Sequence, residues 1–247
     1  MFLNIIDIIT NNKLLITITI IVLLFILLFV LWAVQGWKGK IKANRIASIG
    51  IFTALSIVLY FLKFNLPFLF PSFLEINFSL LPVIIIGYML GPVEAITIVF
   101  LRAIIKLPFT STFCVGEVAD LLIGVPVALV TSLIYRSHHS KRGAIISLLF
   151  GILTWVLSGV FTNYFINIPF FLNLYFNGDV SSFIGILSII PGVNETNYMI
   201  KYILFAAIPF NLLLSSIVSI VTFLVYKKIS ILFNKFNKKE VEEITYE

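Results

Sequence analysis

FLEINFSLLPVIIIGYMLGPVEAITIVFLRAIIKLPFTSTFCVGEVADLLIG, residues 73–124, sets Glu94, Arg102, Lys106, Glu117 and Asp120 inside or beside segments otherwise apolar enough to lie in a bilayer. An ionisable group at membrane depth is expensive unless it is paired or faces water, so such a cluster points to a polar interior. Gly91-Pro92 divides the stretch. Proline lacks the backbone donor a helix interior needs and biases its predecessor away from helix, so the apolar run Leu80 to Leu107 is expected as two short helices, the second opening at Pro92.

The rest of the chain follows the same chemistry. Of 247 residues, 60% are hydrophobic and 11% charged, and 25 are Phe, more apolar surface than a soluble domain of this length can bury. Hydrocarbon tolerates backbone only where its hydrogen bonds close internally, and long unbroken apolar runs fit helices rather than barrel strands. The expected fold is therefore an all-α integral membrane protein. The net charge of +6 reads as cytoplasmic loops and contact with anionic headgroups, not as a nucleic-acid surface. A single cysteine, Cys114, excludes an intrachain disulfide and any multi-cysteine metal site.

Leu14 to Val34 is long enough to span alone and is followed by Lys38, Lys40, Lys42 and Arg45, the reverse of the order in a cleaved signal peptide. It is expected as an additional N-terminal transmembrane helix. Further spans are Ala43 to Leu62, the two halves of Leu80 to Leu107, Val115 to Tyr135, Ala144 to Ile166 and Tyr198 to Tyr226, giving seven helices. Basic residues then fall on alternate connections: Lys38 to Arg45, Arg136 to Arg142, and Lys227 to Lys239. That places the C-terminus in the cytoplasm and the N-terminus outside a cell membrane, with Lys63 to Ser79, Pro108 to Cys114 and Asn167 to Asn197 facing outward. The expected division is 1–42 for the extra helix and its basic linker, 43–230 for a six-helix core, and 231–247 for a charged cytoplasmic tail.

Catalytic and metal-binding patterns are missing from the sequence. His138 and His139 lie in the turn SHHSKR without an acidic or cysteine partner at ligand spacing, and no G-x-x-x-x-G-K-[ST] loop exists to cradle ATP phosphates. Uphill movement of a solute would take its energy from another chain or from an ion gradient. Lys106 and Glu117 flank one short turn at similar depth, with Arg102 and Asp120 roughly a turn below, so two cation–carboxylate pairs between antiparallel helices are expected. Such a ladder serves equally as a helix lock or as a ligand contact.

Two later helices each carry a polar or small face, Trp155, Ser158, Gly159, Thr162 and Asn163 on one, and Ala207, Asn211, Ser215, Ser219 and Thr222 on the other. Small residues alone suit close packing. The carboxamides Asn163 and Asn211 tilt the reading toward a cavity, since a heterocycle with amide or imide edges satisfies their donors and acceptors. Ala47, Gly50 and Ala54 give a helix-docking surface just above Arg45.

Taken together, RIASIGIFTAL, FLEINFSLLP followed by GYMLGP, TSTFCVGEVADLLIG, TNYFINIPFF and IPFNLLLSSIVS resemble the substrate-binding S components of energy-coupling factor vitamin transporters, and among them the riboflavin-specific group. The resemblance covers about Arg45 to Lys228. It implies a six-helix core with an outward-open vitamin pocket capped by Lys63 to Ser79, and docking on a membrane-embedded coupling subunit that carries two cytoplasmic ATPases. Gly50 and Ala54 match the small pair used against the coupling subunit, and Asn163 and Asn211 match positions that hydrogen-bond the flavin. The chain departs from that pattern at Leu214, where the riboflavin group has lysine, and at Asn77-Phe78-Ser79-Leu80, where it has D-F-S-D. Lys201 or Lys106 is the alternative amine.

The expected function is capture of riboflavin or a related flavin with no covalent chemistry and no cofactor beyond the transported ligand. Asn163, Asn211, Phe78, Lys106, Glu117, Trp155, Thr162 and Ser215 are the candidate contacts, and Phe68, Phe70, Phe73 and Phe78 are expected to help the outer loop close. The alternatives are the same family with another vitamin or precursor, and a self-contained secondary carrier driven through the charged ladder.

Overall fold

The computed structural model describes residues 43–110 and 115–245; the expected helix Leu14 to Val34 and Cys114 lie outside the described residues. Helix α1 spans Ala43–Phe61, α2 Leu80–Met89 and α3 Pro92–Lys106. A 3-10 turn, Leu107–Phe109, extends α3 before α4, Val115–Ser137. Then come α5, Lys141–Thr162, α6, Ile168–Phe176, α7, Val180–Ile186, α8, Tyr198–Tyr202, and α9, Ile208–Thr245.

Among the described residues, four stretches are long and apolar enough to cross a membrane: Ala43–Phe61, Val115–Ser137, Lys141–Phe176 and Tyr198–Ile229. Their outer faces carry exposed apolar side chains such as Ile51, Leu149 and Leu224, which in water would be an aggregation surface and in lipid is the solvent-facing side. The chain is an all-α integral membrane protein.

The break at Gly91-Pro92 falls as expected. Gly91 has φ +123°, a backbone conformation open to glycine and strained for other residues, and Pro92 opens α3. Helix α2 is the centre of the bundle, with eight of its ten residues buried and contacts to α1, α3, α4 and α9. This is why its sequence is apolar all round rather than along one stripe. Close approach of α2 and α5 to α4 depends on glycine: a Cβ on Gly87 would overlap Ser132, and one on Gly151 would overlap Thr131.

The later helices run past their expected ends. Lys141–Phe176 is continuous over 36 residues, so the connection expected at Asn167 to Asn197 carries α6 and α7. The span was expected to end at Ile166; instead a π-helical turn, Asn163–Asn167, carries the helix on past Pro169, and the Ile168 N–H bonds to the Asn163 carbonyl five residues back. A second π turn, Ile203–Ala207, does the same before Pro209, with Ile208 N–H on the Ile203 carbonyl. Widening the turn by one residue removes the clash between a proline ring and the carbonyl four residues earlier. Phe183 of α7 and Leu187 just past its end pack onto Ile168, Tyr202, Ala206 and Ala207, so this connection is folded onto the bundle.

The connection after α1 also has structure. Phe64–Asn65 and Glu75–Ile76 pair as antiparallel two-residue strands, β1 and β2. Lys63 Nζ meets Glu75 Oε2 at 2.7 Å across this hairpin. At the opposite end of the bundle, Arg45 on α1 pairs with the fully buried Glu94 on α3, and Tyr88 stacks on Tyr135 with Tyr226 edge-on to both.

Candidate functional site

The two π turns set the positions of the two asparagines. Asn163 begins the first turn and Asn211 follows the second by one helical turn, and both converge on Gly159 of α5. Asn163 Nδ2 donates to the Gly159 carbonyl at 2.8 Å. A Cβ placed on Gly159 would lie 2.6 Å from Asn211 Cγ, so the glycine is what admits the second carboxamide. Each carboxamide is 4% exposed and uses one amide hydrogen within its own helix, Asn211 Nδ2 donating to the Ala207 carbonyl at 2.8 Å. Asn163 Oδ1 accepts from the Tyr202 hydroxyl at 2.8 Å and from Asn167 Nδ2 at 3.4 Å. Trp155, Thr162 and Ser215 are buried on the same two helices. The Thr162 and Ser215 hydroxyls bond to the carbonyls of Gly159 and Leu212 in their own helices.

Tyr202 and Asn167 were missed in the sequence. Tyr202 sits on the five-residue α8, too short for periodicity to reveal a face, and Asn167 fell at the start of the connection expected to face outward. Tyr202 is fully buried and links the asparagines to the hairpin connection, because Phe73 stacks on its ring at 5.8 Å between centroids. Phe73 also lies 5.7 Å from Phe171, and Phe70 meets Phe210 edge-on at 5.3 Å. Of the four phenylalanines expected to close this loop, Phe70 and Phe73 are seated on α6, α8 and α9, Phe78 is half-buried, and Phe68 is 71% exposed.

Lys106 and Glu117 belong to a different place, the seam of α3 and α4 with α1, and the ladder is in another register than expected. Lys106 Nζ pairs with Asp120 Oδ2 at 2.5 Å, not with Glu117, and sits 3.3 Å from the Tyr60 ring centroid, a cation–π contact. Glu117 Oε2 accepts from the Thr110 hydroxyl at 2.8 Å. Arg102 makes no pair with Asp120; its Nη1 donates to Ser79 Oγ at 2.7 Å and Ser56 Oγ at 3.4 Å. The cause is side-chain direction. Helical Cα–Cβ bonds tilt toward the helix N-terminus, so Lys106 and Arg102 lean away from the α3–α4 turn while Asp120 and Glu117 lean toward it. Each cation therefore meets a partner one step from its level.

Leu214 is buried, at 4% exposed, and both alternative amines are engaged elsewhere. Lys201 Nζ donates to the carbonyls of Pro191 and Gly192 at 2.8 Å each, and Lys106 is held by Asp120. Ala47, Gly50 and Ala54 lie together on the exposed face of α1, where a Cβ on Gly50 would meet nothing within 4 Å.

Residues 44–226 match the sequence family described as ECF transporter, substrate-specific component. The chain is similar to the riboflavin transporter RibU of Staphylococcus aureus (strain TCH60), 26% identical over 161 residues, covering 63% of this chain and 84% of that protein. It is similar to the riboflavin transporter FmnP of Bacillus subtilis (strain 168), 26% identical over 131 residues, 52% of this chain and 68% of that one. A solved S component of a bacterial ECF transporter superposes with a TM-score of 0.57 at 24% identity, covering 76% of this chain and 96% of the other. That likeness is one of fold.

Proposed function

We propose that this chain, which belongs to the ECF transporter substrate-specific component family, captures riboflavin or a closely related flavin at the asparagine centre between α5 and α9. As a substrate-specific component it is a transport subunit and not an enzyme. The observation that carries the flavin reading is the convergence of Asn163 and Asn211 on Gly159, beneath aromatic rings of the hairpin connection. Two carboxamides offer the donor and acceptor pattern that an imide edge requires, and the flanking Trp155, Phe73 and Tyr202 suit a flat heterocycle. The similarity to riboflavin transporters supports the same ligand.

In this reading the asparagines hydrogen-bond the ring, Thr162 and Ser215 line the same helices, and Phe78 joins Phe70 and Phe73 in covering it. Lys106 and Glu117 form a wall at a distance, already engaged with Asp120 and Thr110. The membrane core is six helices over residues 43–230, with the C-terminus in the cytoplasm. Ala47, Gly50 and Ala54 face a membrane-embedded coupling subunit, and ATP is hydrolysed on two further subunits. Riboflavin binding followed by quenching of its fluorescence tests the site. Asn163→Ala and Asn211→Ala are each expected to weaken binding by about tenfold, one lost hydrogen bond in a desolvated site; unchanged affinity in both variants rules the asparagine centre out.

A further inference from the structure

We propose that Tyr202 is a positioning residue that commits Asn163 to act toward the ligand as a hydrogen-bond donor alone, so that the centre reads a carbonyl oxygen at that point. That the carbonyl belongs to a flavin rests on the reading above; the role of Tyr202 follows from how Asn163 is bonded. A carboxamide has two N–H donors and two acceptor positions, and at Asn163 three of these four are spent inside the protein. One N–H goes to the Gly159 carbonyl at 2.8 Å. A carbonyl can only accept, so this contact decides which side of the carboxamide carries the nitrogen. The oxygen is left facing the Tyr202 hydroxyl, which donates to it at 2.8 Å, and Asn167 Nδ2 takes the other acceptor position at 3.4 Å. What remains is the second N–H. A group with one N–H to offer holds a ligand acceptor and leaves a ligand N–H unmet, and a contact of that kind discriminates by hydrogen-bond type rather than by size.

The tyrosine is held where this role needs it. It is fully buried, packed with Ile168, Phe183 and Leu187, and Phe73 of the hairpin connection stacks on its ring. It closes α8 directly before the π turn Ile203–Ala207, one helical turn ahead of Asn211. A buried hydroxyl is costly unless its proton is used, and among the described residues this one is used on Asn163 Oδ1. Without it the oxygen would keep the 3.4 Å contact to Asn167, and the direction of the free N–H would be set from the Gly159 side alone.

The test compares riboflavin with 2-thioriboflavin and 4-thioriboflavin, in which one carbonyl oxygen at a time gives way to sulfur, a weak acceptor. Dissociation constants are measured by flavin absorbance on the purified full-length chain as wild type, Tyr202→Phe and Asn167→Ala. Wild type is expected to bind one of the two thio analogues at least about tenfold more weakly than riboflavin. Tyr202→Phe is expected to weaken riboflavin more than that analogue, so that the discrimination falls to about threefold or less. A tyrosine that only supports the fold would weaken all three flavins by one factor; that outcome overturns the proposal, as does equal binding of all three by wild type. If Tyr202→Phe does not fold, Asn167→Ala frees the other acceptor position, and discrimination unchanged from wild type there overturns it as well. The tyrosine ring doublet in the ultraviolet resonance Raman difference between wild type and Tyr202→Phe reports, without any ligand, whether this hydroxyl donates. The signature of an accepting hydroxyl overturns the proposal even where riboflavin binds. A donor signature in a chain that binds no riboflavin supports the hold on Asn163 and tells against the flavin reading alone.

Discussion

The asparagine centre and the charged seam lie in the same bundle and solve opposite problems. At the centre every polar group is neutral, and each carboxamide is held by a carbonyl of its own helix, so a ligand can take the remaining amide hydrogens without leaving a charge behind. At the seam the groups are ionic and depend on other helices: Lys106 of α3 has Asp120 of α4 and the Tyr60 ring of α1. Neutral groups make exchangeable contacts. Buried charges make contacts whose loss is costly, which suits the seam to holding three helices in one arrangement.

The largest effect is expected from removing one charge of the seam. Asp120→Asn leaves the Lys106 ammonium, 1% exposed, without its carboxylate and is expected to destabilise by about 3 kcal/mol, read as a lowered melting temperature. Replacing both partners, Lys106→Met with Asp120→Leu, is expected to recover most of that loss; a double variant as unstable as the single one would mean the pair is not the lock. Gly159→Ala comes next. Its methyl would press on Asn211, and overpacking of this kind costs about 1–3 kcal/mol, here with loss of riboflavin binding since α5 and α9 must separate. If binding is retained, the close approach at Gly159 is not what shapes the centre.

Tyr202→Phe removes one neutral donor from Asn163 Oδ1 and is expected to cost about 1 kcal/mol in stability. An effect as large as that of Asp120→Asn would erase the contrast between neutral and ionic regions. Glu75→Gln supplies the smallest effect. It breaks an ion pair of the same chemistry as Lys106–Asp120, but with both side chains at least one third exposed, and the expected loss is below about 1 kcal/mol. Melting curves of the two acid-to-amide variants side by side measure what burial adds.

The α1 span, the break at Gly91-Pro92 and the two asparagines were legible because each rests on a local signal: an apolar run, a Gly-Pro pair, a carboxamide in an apolar helix. The 36-residue length of the α5–α6 helix was not. Proline normally reads as a stop, and only the folded structure shows that Phe165 to Phe170, FINIPF, and Phe205 to Phe210, FAAIPF, each meet a π turn that carries the helix through. The similarity of those two hexapeptides is the signal that would have paired them. The seam was legible in composition and misread in register, because spacing along one helix says which residues share a face but not which way a long side chain leans. Tyr202 and the hairpin contacts were out of reach, since stacking of Phe73 on Tyr202 is set by the return path of a loop.

Helix α2 has ten residues, about 15 Å at the usual rise, while bilayer hydrocarbon is about 30 Å thick. Helix α2 alone therefore falls short of crossing it, so at least one of its ends lies within that thickness, where only protein can meet the backbone groups. Ser79, buried at the head of α2, has its N–H met by Asn77 Oδ1 and its carbonyl by the Ser56 hydroxyl.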